Sequence, residues 1–294
     1  MVAEVLAGLQ CRPGGFYLDG TVGLGGHAAA LLAASSPDGQ LVGLDRDPEA
    51  LAAAAARLAP FTSRWRLIQA CYSNLAELLA VHQLPAPDGI LLDLGLSSAQ
   101  LEASGRGFSF LRDEPLDMRF DPQDPGPTAA DLINRASEAE LARIFWEYGE
   151  ERWARRLARR LVQIRQRRPL TTTGQLVAVI KEVIPPGPAR IHPATRVFQA
   201  LRLAVNRELD RLAAFLPQAI SVLAPGGRLA IITYHSLEDR LVKQAMLAAE
   251  AAGNWRRVTK KPVRPSPEEV RANPRARSAK LRVGEKVSFT TGSR

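Results

Sequence analysis

The apolar positions of this chain follow two rhythms, and the change between them divides it. Apolar-rich runs at residues 16–19, 40–44 and 89–94 each break into a glycine or an acid, and a more mixed run at 65–70 stands between the last two. Between them, residues 26–34, 48–58 and 73–82 carry apolar side chains at helical spacing, and residues 2–9 form a short helix ahead of the first run. Strand and helix in strict alternation predict βα units and a parallel sheet, whose ligands gather at the carboxyl ends of the strands. From about residue 104 to 195 the strand rhythm stops. A loop rich in charge and proline at 112–127 is followed by helical segments at 128–136, 137–148, 150–167 and 173–183, and the sheet pattern resumes only at 226–233. A helical block inside an α/β pattern predicts an inserted domain. The expected division is a sheet domain at 1–103, an all-helical insert at 104–195, and the second part of the sheet domain at 196–294. Residues 194–216 carry the chain back. Residues 255–277 are basic, rich in proline and expected to be irregular, and 281–290 suit a closing strand or hairpin.

The first run ends Phe16-Tyr17-Leu18-Asp19 and breaks into Gly20-Thr21-Val22-Gly23-Leu24-Gly25-Gly26-His27. Gly23, Gly25 and Gly26 supply positive φ and no Cβ, so a ligand can approach the main chain and the N-terminus of the following helix. Asp45 ends the second run about 20 residues on, where nucleotide-binding sheets place the acid that accepts ribose hydroxyls. Asp47, just before Pro48, suits a helix cap better. Such a cradle fits a dinucleotide or S-adenosylmethionine. Gly23, Gly25 and Ala28 satisfy a loosely read dinucleotide fingerprint, which keeps an oxidoreductase open. Asp19 and Asp93, at the ends of the first and fourth runs, favour S-adenosylmethionine, because acids there can hold the amino end of a methionine and face a reacting amine.

Composition narrows the partners. The 294 residues carry a formal charge of +9 and two cysteines, Cys11 and Cys71, without metal-ligand spacing. No disulfide and no metal are expected, and with no cationic leader and no apolar run of about 18 residues the chain reads as soluble and cytoplasmic. The excess charge points to a polyanion. Along 150–167, Trp153, Leu157, Leu161 and Ile164 form one stripe, and Arg152, Arg155, Arg156 and Arg159 gather opposite, with Glu150 and Glu151 at the N-terminal end. That face suits phosphates, against the alternative of a plain solvated surface. The tail adds Arg256, Arg257, Lys260, Lys261, Arg264, Arg271, Arg275, Arg277, Lys280 and Arg282. Two basic surfaces around one pocket suggest a folded RNA or a ribonucleoprotein.

Ordered motifs then run through nearly the whole chain: Gly25-Gly26-His27, Asp45-Arg46-Asp47-Pro48, Asp93-Leu94-Gly95, Gly105-Arg106-Gly107-Phe108-Ser109-Phe110, Pro115-Leu116-Asp117-Met118-Arg119, Tyr148-Gly149-Glu150-Glu151-Arg152, His192-Pro193-Ala194-Thr195-Arg196, His235-Ser236-Leu237-Glu238-Asp239-Arg240, and the segment from Asn273-Pro274-Arg275 to Arg282. In these the chain resembles the bacterial MraW (RsmH) family. The resemblance implies a class I, Rossmann-like methyltransferase sheet with an inserted helical domain. It implies an S-adenosylmethionine-dependent enzyme that methylates the exocyclic N4 of a decoding-centre cytidine in 16S ribosomal RNA, within the small subunit; a homodimer is left open. Carried onto this sequence, the implied cofactor contacts are Gly25, Gly26, His27, Asp45, Tyr72, Asp93 and Gln100. Tyr72 replaces the family's usual phenylalanine and keeps the ring; Val22 and Leu24 replace phenylalanine and arginine. The lead containing histidine and proline that usually precedes the first helix is not in the sequence.

Cytosine N4 is a weak nucleophile, its lone pair delocalised into the ring, so an acceptor near the amine is expected. DNA amino-methyltransferases place an Asp, Asn or Ser before Pro-Pro-aromatic after their fourth strand. Here Asp93-Leu94-Gly95-Leu96 holds that place, with the acid and without the prolines. Asp93 is the first catalytic candidate and His235, in a polar cluster after the fifth strand, the second. A flipped-out base is implied. Asp117 and Arg119 belong either to the site or to a loop that clamps the fold.

Overall fold

A computed structural model of the chain describes residues 1–102, 104–185 and 192–287. Its elements fall into two compact units, Met1–Gly95 with Leu209–Arg294, and Leu96–Glu208.

The first unit opens with α1 (Val2–Leu9), β1 (Phe16–Asp19), α2 (Gly26–Ala34), β2 (Gln40–Asp45), α3 (Pro48–Leu58), β3 (Trp65–Gln69), α4 (Leu75–Val81) and β4 (Gly89–Asp93). The second unit holds α5 (Ser98–Glu102), α6 (Ala129–Arg135), α7 (Glu138–Glu147), α8 (Ala154–Arg165), α9 (Thr173–Val183) and α10 (Ala194–Asn206). The chain returns through α11 (Glu208–Val222) to β5 (Arg228–Thr233), α12 (Ser236–Ala251), β6 (Trp255–Arg257), α13 (Pro267–Ala272) and β7 (Lys280–Lys286).

Among the described residues the strands form one seven-stranded sheet in the order β3-β2-β1-β4-β5-β7-β6, parallel except for β7. This is the class I methyltransferase arrangement that the resemblance implied. Helices cover both faces, which is why the strands read as continuous rather than alternating apolar runs. Leu18, Leu44, Leu92 and Ile231 pack on one side with Leu75, Phe215 and Met246; Tyr17, Leu41, Leu91 and Ile232 pack on the other with Val5, Leu31 and Leu58. The strand order reverses between β1 and β4. A crevice at the carboxyl ends of such a pair is where open α/β sheets hold ligands.

The second unit has its own core, in which Leu141, Phe145, Leu157, Leu161, Ile180 and Leu201 are buried together. Its limits differ from the expected 104 and 195. Leu96 and Leu101 pack on that core, and α10 contributes Val197, Phe198 and Leu201 to it. Asn206, at the end of α10, donates to the Met118 carbonyl and accepts from the Phe120 amide. The sequence division followed where the strand rhythm stops, whereas packing changes sides only after Gly95 and Glu208.

The returning segment is two helices, broken where Arg207 takes φ +50°. The stretch 255–277 is more regular than expected, holding β6, α13 and a 3₁₀ turn over Pro274–Ser278. Ser266 and Asn273 cap these two short turns by accepting from Glu269 and Arg275 amides, a local signal that the prolines concealed. The closing element is the strand β7; its expected extension past 287 lies outside the described residues. Among them, no helix is long and apolar enough to cross a membrane.

Candidate active site

The glycine turn after β1 is tied to the ends of its two neighbouring strands, β4 and β2. The Gly20 amide donates to the Leu91 carbonyl of β4 at 2.9 Å and the Val22 amide to the Leu44 carbonyl of β2 at 2.8 Å. The Thr21 hydroxyl accepts the Asp93 amide at 2.7 Å. Gly23 donates to one Asp45 oxygen at 2.9 Å, and the Asp47 amide to the other at 3.0 Å. Asp45 therefore shapes the turn, and only its remaining lone pairs are free for a ribose. Asp47 does cap α3, accepting from the Glu49 amide.

Gly25 has φ +77°, and a Cβ there would lie 3.2 Å from the Ala54 Cα. Positive φ and the close approach of alanine-rich α3 together demand glycine. Gly25 is also the N-cap of α2 and offers no side chain to it, so the first amides of the helix are left for an acceptor from outside. Gly26 begins that helix without the positive φ expected of it, which only Gly23 and Gly25 take in this turn, and His27 follows.

His27 reaches from α2 to the end of β4, its Nε2 lying 3.4 Å from Asp93 Oδ2. Burial alone would push this imidazole down, but the Asp93 carboxylate, with Asp19 behind it, outweighs burial and holds His27 above the ordinary histidine range. On its other side Asp93 accepts from the Tyr234 hydroxyl at 3.1 Å. Burial, then the charge of Asp93, drive the Tyr234 phenol upward, so it stays a donor. Asp93 keeps about a quarter of its side chain exposed (26%). Asp19 is the opposite case. It is 1% exposed, Oδ1 accepts the Thr21 amide at 3.1 Å, and Oδ2 has no hydrogen-bond partner among the described residues. Burial pushes its carboxyl up to about 7 against the pull of His27. Burial likewise raises Asp45, against the amides of Asp47 and Gly23.

The remaining sequence-predicted residues divide. Tyr72 packs edge-on against Phe215, centroids 5.3 Å apart, and its Cβ lies 3.4 Å from where a Cβ on Gly20 would stand, so it borders the end of β1. Gln100 belongs to the second unit, where its side chain accepts the Ser97 amide at 3.0 Å. His235 serves as N-cap of α12. Its Nδ1 accepts the Glu238 amide, Glu238 answers with a carboxylate at the Tyr234 and His235 amides, and Nε2 lies 3.0 Å from that same carboxylate. Asp117 pairs with Arg119 at 2.7 Å within the second unit, where the Asp117 carbonyl also accepts the Ala129 amide and Arg119 donates to the Asp124 carbonyl. Both clamp the insert's loop.

Sequence reasoning passed over Thr21 and Tyr234. Tyr234 stands beside the chosen His235, and Leu91, Asp93, Ile232 and Tyr234 fall on one sheet face by alternation. The signal that joins them is the register of Asp93 against Ile232, which exists only once β4 and β5 are known to be neighbours.

In the second unit, the helix expected over 150–167 is shorter. Glu150 takes φ +48°, Glu151 is buried and accepts the Trp153 amide, and α8 begins at Ala154. Arg152 and Arg156 lie over the Trp153 ring at 5.9 and 5.7 Å. Arg159 approaches Glu138 at 3.5 Å and Arg160 pairs with Glu182. The face remains predominantly cationic. The tail is less free than its composition suggested: Arg256 pairs with Glu285, Arg257 with Glu250, Arg271 with Glu268, and Lys280 and buried Arg282 with Asp239.

The MraW methylase family model matches residues 1–287. A protein named ribosomal RNA small subunit methyltransferase H from Geotalea uraniireducens is 49% identical, the alignment covering 98% of this chain and 97% of that one. Proteins of the same name from Citrifermentans bemidjiense and Geobacter sulfurreducens are each 51% identical, over 97% and 98% of this chain and 96% and 97% of theirs. Among solved structures the likeness is looser: an rRNA methylase from Streptococcus thermophilus gives a TM-score of 0.43 at 12% identity, covering 98% of this chain and 92% of that one.

Proposed function

This chain belongs to the MraW methylase family, and from that premise we propose that it transfers a methyl group from S-adenosylmethionine to small-subunit (16S) ribosomal RNA, at the exocyclic N4 of a decoding-centre cytidine. The observation that carries the chemistry is Asp93, a partly exposed carboxylate at the strand reversal, held between the Tyr234 hydroxyl and the His27 imidazole. When bound, S-adenosylmethionine supplies an electrophilic methyl group on a sulfonium.

The residues present suit that cofactor. The bare N-terminus of α2 and the turn through Gly25 and Gly26 accept a polar group against backbone. Asp45 keeps lone pairs for ribose hydroxyls, Tyr72 offers a ring beside β1, and the unpartnered Oδ2 of Asp19 suits a cationic amino group. Gln100 is assigned to the cofactor by family correspondence alone.

Asp93 does the work at the base. Each of its oxygens accepts one neighbour and retains a lone pair. One of these takes a hydrogen bond from the N4 amine, which concentrates the nitrogen lone pair and aims it. Tyr234 and His27 fix the carboxylate, so this acceptor is oriented before the base arrives. His235 gives its Nδ1 to the cap of α12, and its buried Nε2 faces the Glu238 carboxylate, which leaves Asp93 as the acceptor of choice. The cationic face of α8 supplies phosphate contacts.

The test is incubation of the purified protein with methyl-labelled S-adenosylmethionine and small subunits lacking the modification, followed by nucleoside analysis, with calorimetry against S-adenosylhomocysteine and NAD. Label in N4-methylcytidine, with S-adenosylhomocysteine binding, is the expected result. Label in another nucleoside would overturn the N4 assignment, and NAD binding without S-adenosylhomocysteine binding would overturn the methyltransferase.

A further inference from the structure

The second unit carries an open groove of about 820 Å3 between α7 and α8. Its α7 wall holds Trp146, which is 63% exposed, while the buried stripe of that helix runs through Leu141, Ile144 and Phe145. Trp146 is the one aromatic among the described residues with a large exposed surface. The fold of the insert makes no use of it. Ala139 and Ala142 stand seven and four residues before it, on the same side of the helix, and line the groove beside the ring.

The rest of the groove is cationic. Arg152, Arg155 and Arg159 line it from the α8 side, and Arg143 lies one turn before Trp146. Arg143 is matched by Glu147 at 2.9 Å, and Glu138, the acid that lines the groove, stands 3.5 Å from Arg159. Arg155 makes no ion pair or hydrogen bond among the described residues, and Arg152 makes only its contact with the Trp153 ring. A bare aromatic face bordered by unneutralised arginines is the composition that holds single-stranded nucleic acid: the ring stacks a base, and the cations track the backbone. An acidic peptide would engage the arginines and leave the indole without work.

We propose that this groove seats an unpaired nucleotide of the RNA substrate, its base stacked on Trp146 and its flanking phosphates on Arg152, Arg155 and Arg159. The proposal rests on the rRNA methyltransferase assignment and adds to it a second point of RNA recognition, on the insert itself. An unpaired base is specified because a base inside a duplex has no free face to offer.

The test uses the full chain and a short labelled single-stranded RNA, beside an abasic RNA with the same number of phosphates. The unaltered protein should bind the base-bearing strand more tightly, on the order of 10-fold. Trp146→Ala should remove that preference and Trp146→Phe should restore most of it. Arg152→Gln, Arg155→Gln and Arg159→Gln together should weaken both strands and flatten the salt dependence. Calorimetry with S-adenosylhomocysteine, unchanged in each variant, shows the sheet domain intact. A preference for the base-bearing strand that survives Trp146→Ala would overturn the proposal, as would polyglutamate competing as well as RNA of equal charge. If the unaltered protein methylates ribosomal RNA and yet Trp146→Ala is silent, only the groove is lost. If it neither transfers methyl nor binds RNA, the assignment beneath it falls.

Discussion

Asp93 and Asp19 end neighbouring strands, yet their surroundings give them different chemistry. Asp93 is partly exposed and held by two partners; Asp19 is buried, and one of its oxygens finds no partner among the described residues. Asp93→Asn keeps size and one acceptor oxygen but loses the charge, so saturating turnover should fall roughly 10²-fold or more with melting temperature nearly unchanged. A rise in the Michaelis constant for S-adenosylmethionine with turnover spared would make Asp93 a cofactor anchor instead. For Asp19 the experiment is pH. Its carboxyl, about 7 when folded against 3.8 ordinarily, binds a proton more tightly in the folded chain. Its contribution to stability is therefore full below the unfolded value, declines as pH rises through that window and is gone above about 7. Asp19→Asn should flatten the melting temperature against pH between about 4 and 7, and a profile parallel to the unaltered protein's would refute the assignment. Both acids were legible as strand ends, but the difference between them was not, because it comes from neighbours supplied by other strands.

Among the elements, the glycine turn and α8 show what local sequence can and cannot convey. The turn is contiguous, so strand, glycines and helix were evident from residues 16–34, and Asp47 announced its cap beside Pro48. The ties that hold the turn, Thr21 to Asp93 and Gly23 to Asp45, were hidden, since each runs to the end of a different strand. In α8 the arginine face was legible from periodicity, but the start of the helix was not: Glu151 is drawn into the core and Glu150 adopts a left-handed backbone, a tertiary demand that overrides helix propensity. Changing Arg152, Arg155, Arg156 and Arg159 together to glutamine should weaken binding to the small subunit and reduce the slope of affinity against salt, leaving S-adenosylhomocysteine affinity in place. Unaltered binding, measured by filter retention at two ionic strengths, would return that face to solvent. Arg156 also covers Trp153, so a modest loss of thermal stability should accompany the change.

At the scale of the molecule, an interrupted α/β pattern was enough to announce an insert, and the fold class came with the resemblance. The limits of the units were not readable, because Leu96 and α10 declare their allegiance only by what they pack against. The interruption has a further cost. β4 pairs with β1 on one side and β5 on the other, and the whole insert lies between β4 and β5 in the chain. During synthesis β4 leaves the ribosome long before the strand that will shield its second edge, so a four-stranded sheet with an open, apolar flank must wait while the insert is made. Such an edge invites pairing with other chains. A chain ending after Val222 reproduces that waiting state: it should aggregate or bind chaperones and melt without a cooperative transition, and a soluble, cooperatively melting fragment would show that the early strands protect themselves. The insert, with its own core to collapse on, would then be read as the segment whose translation time the unfinished sheet has to survive.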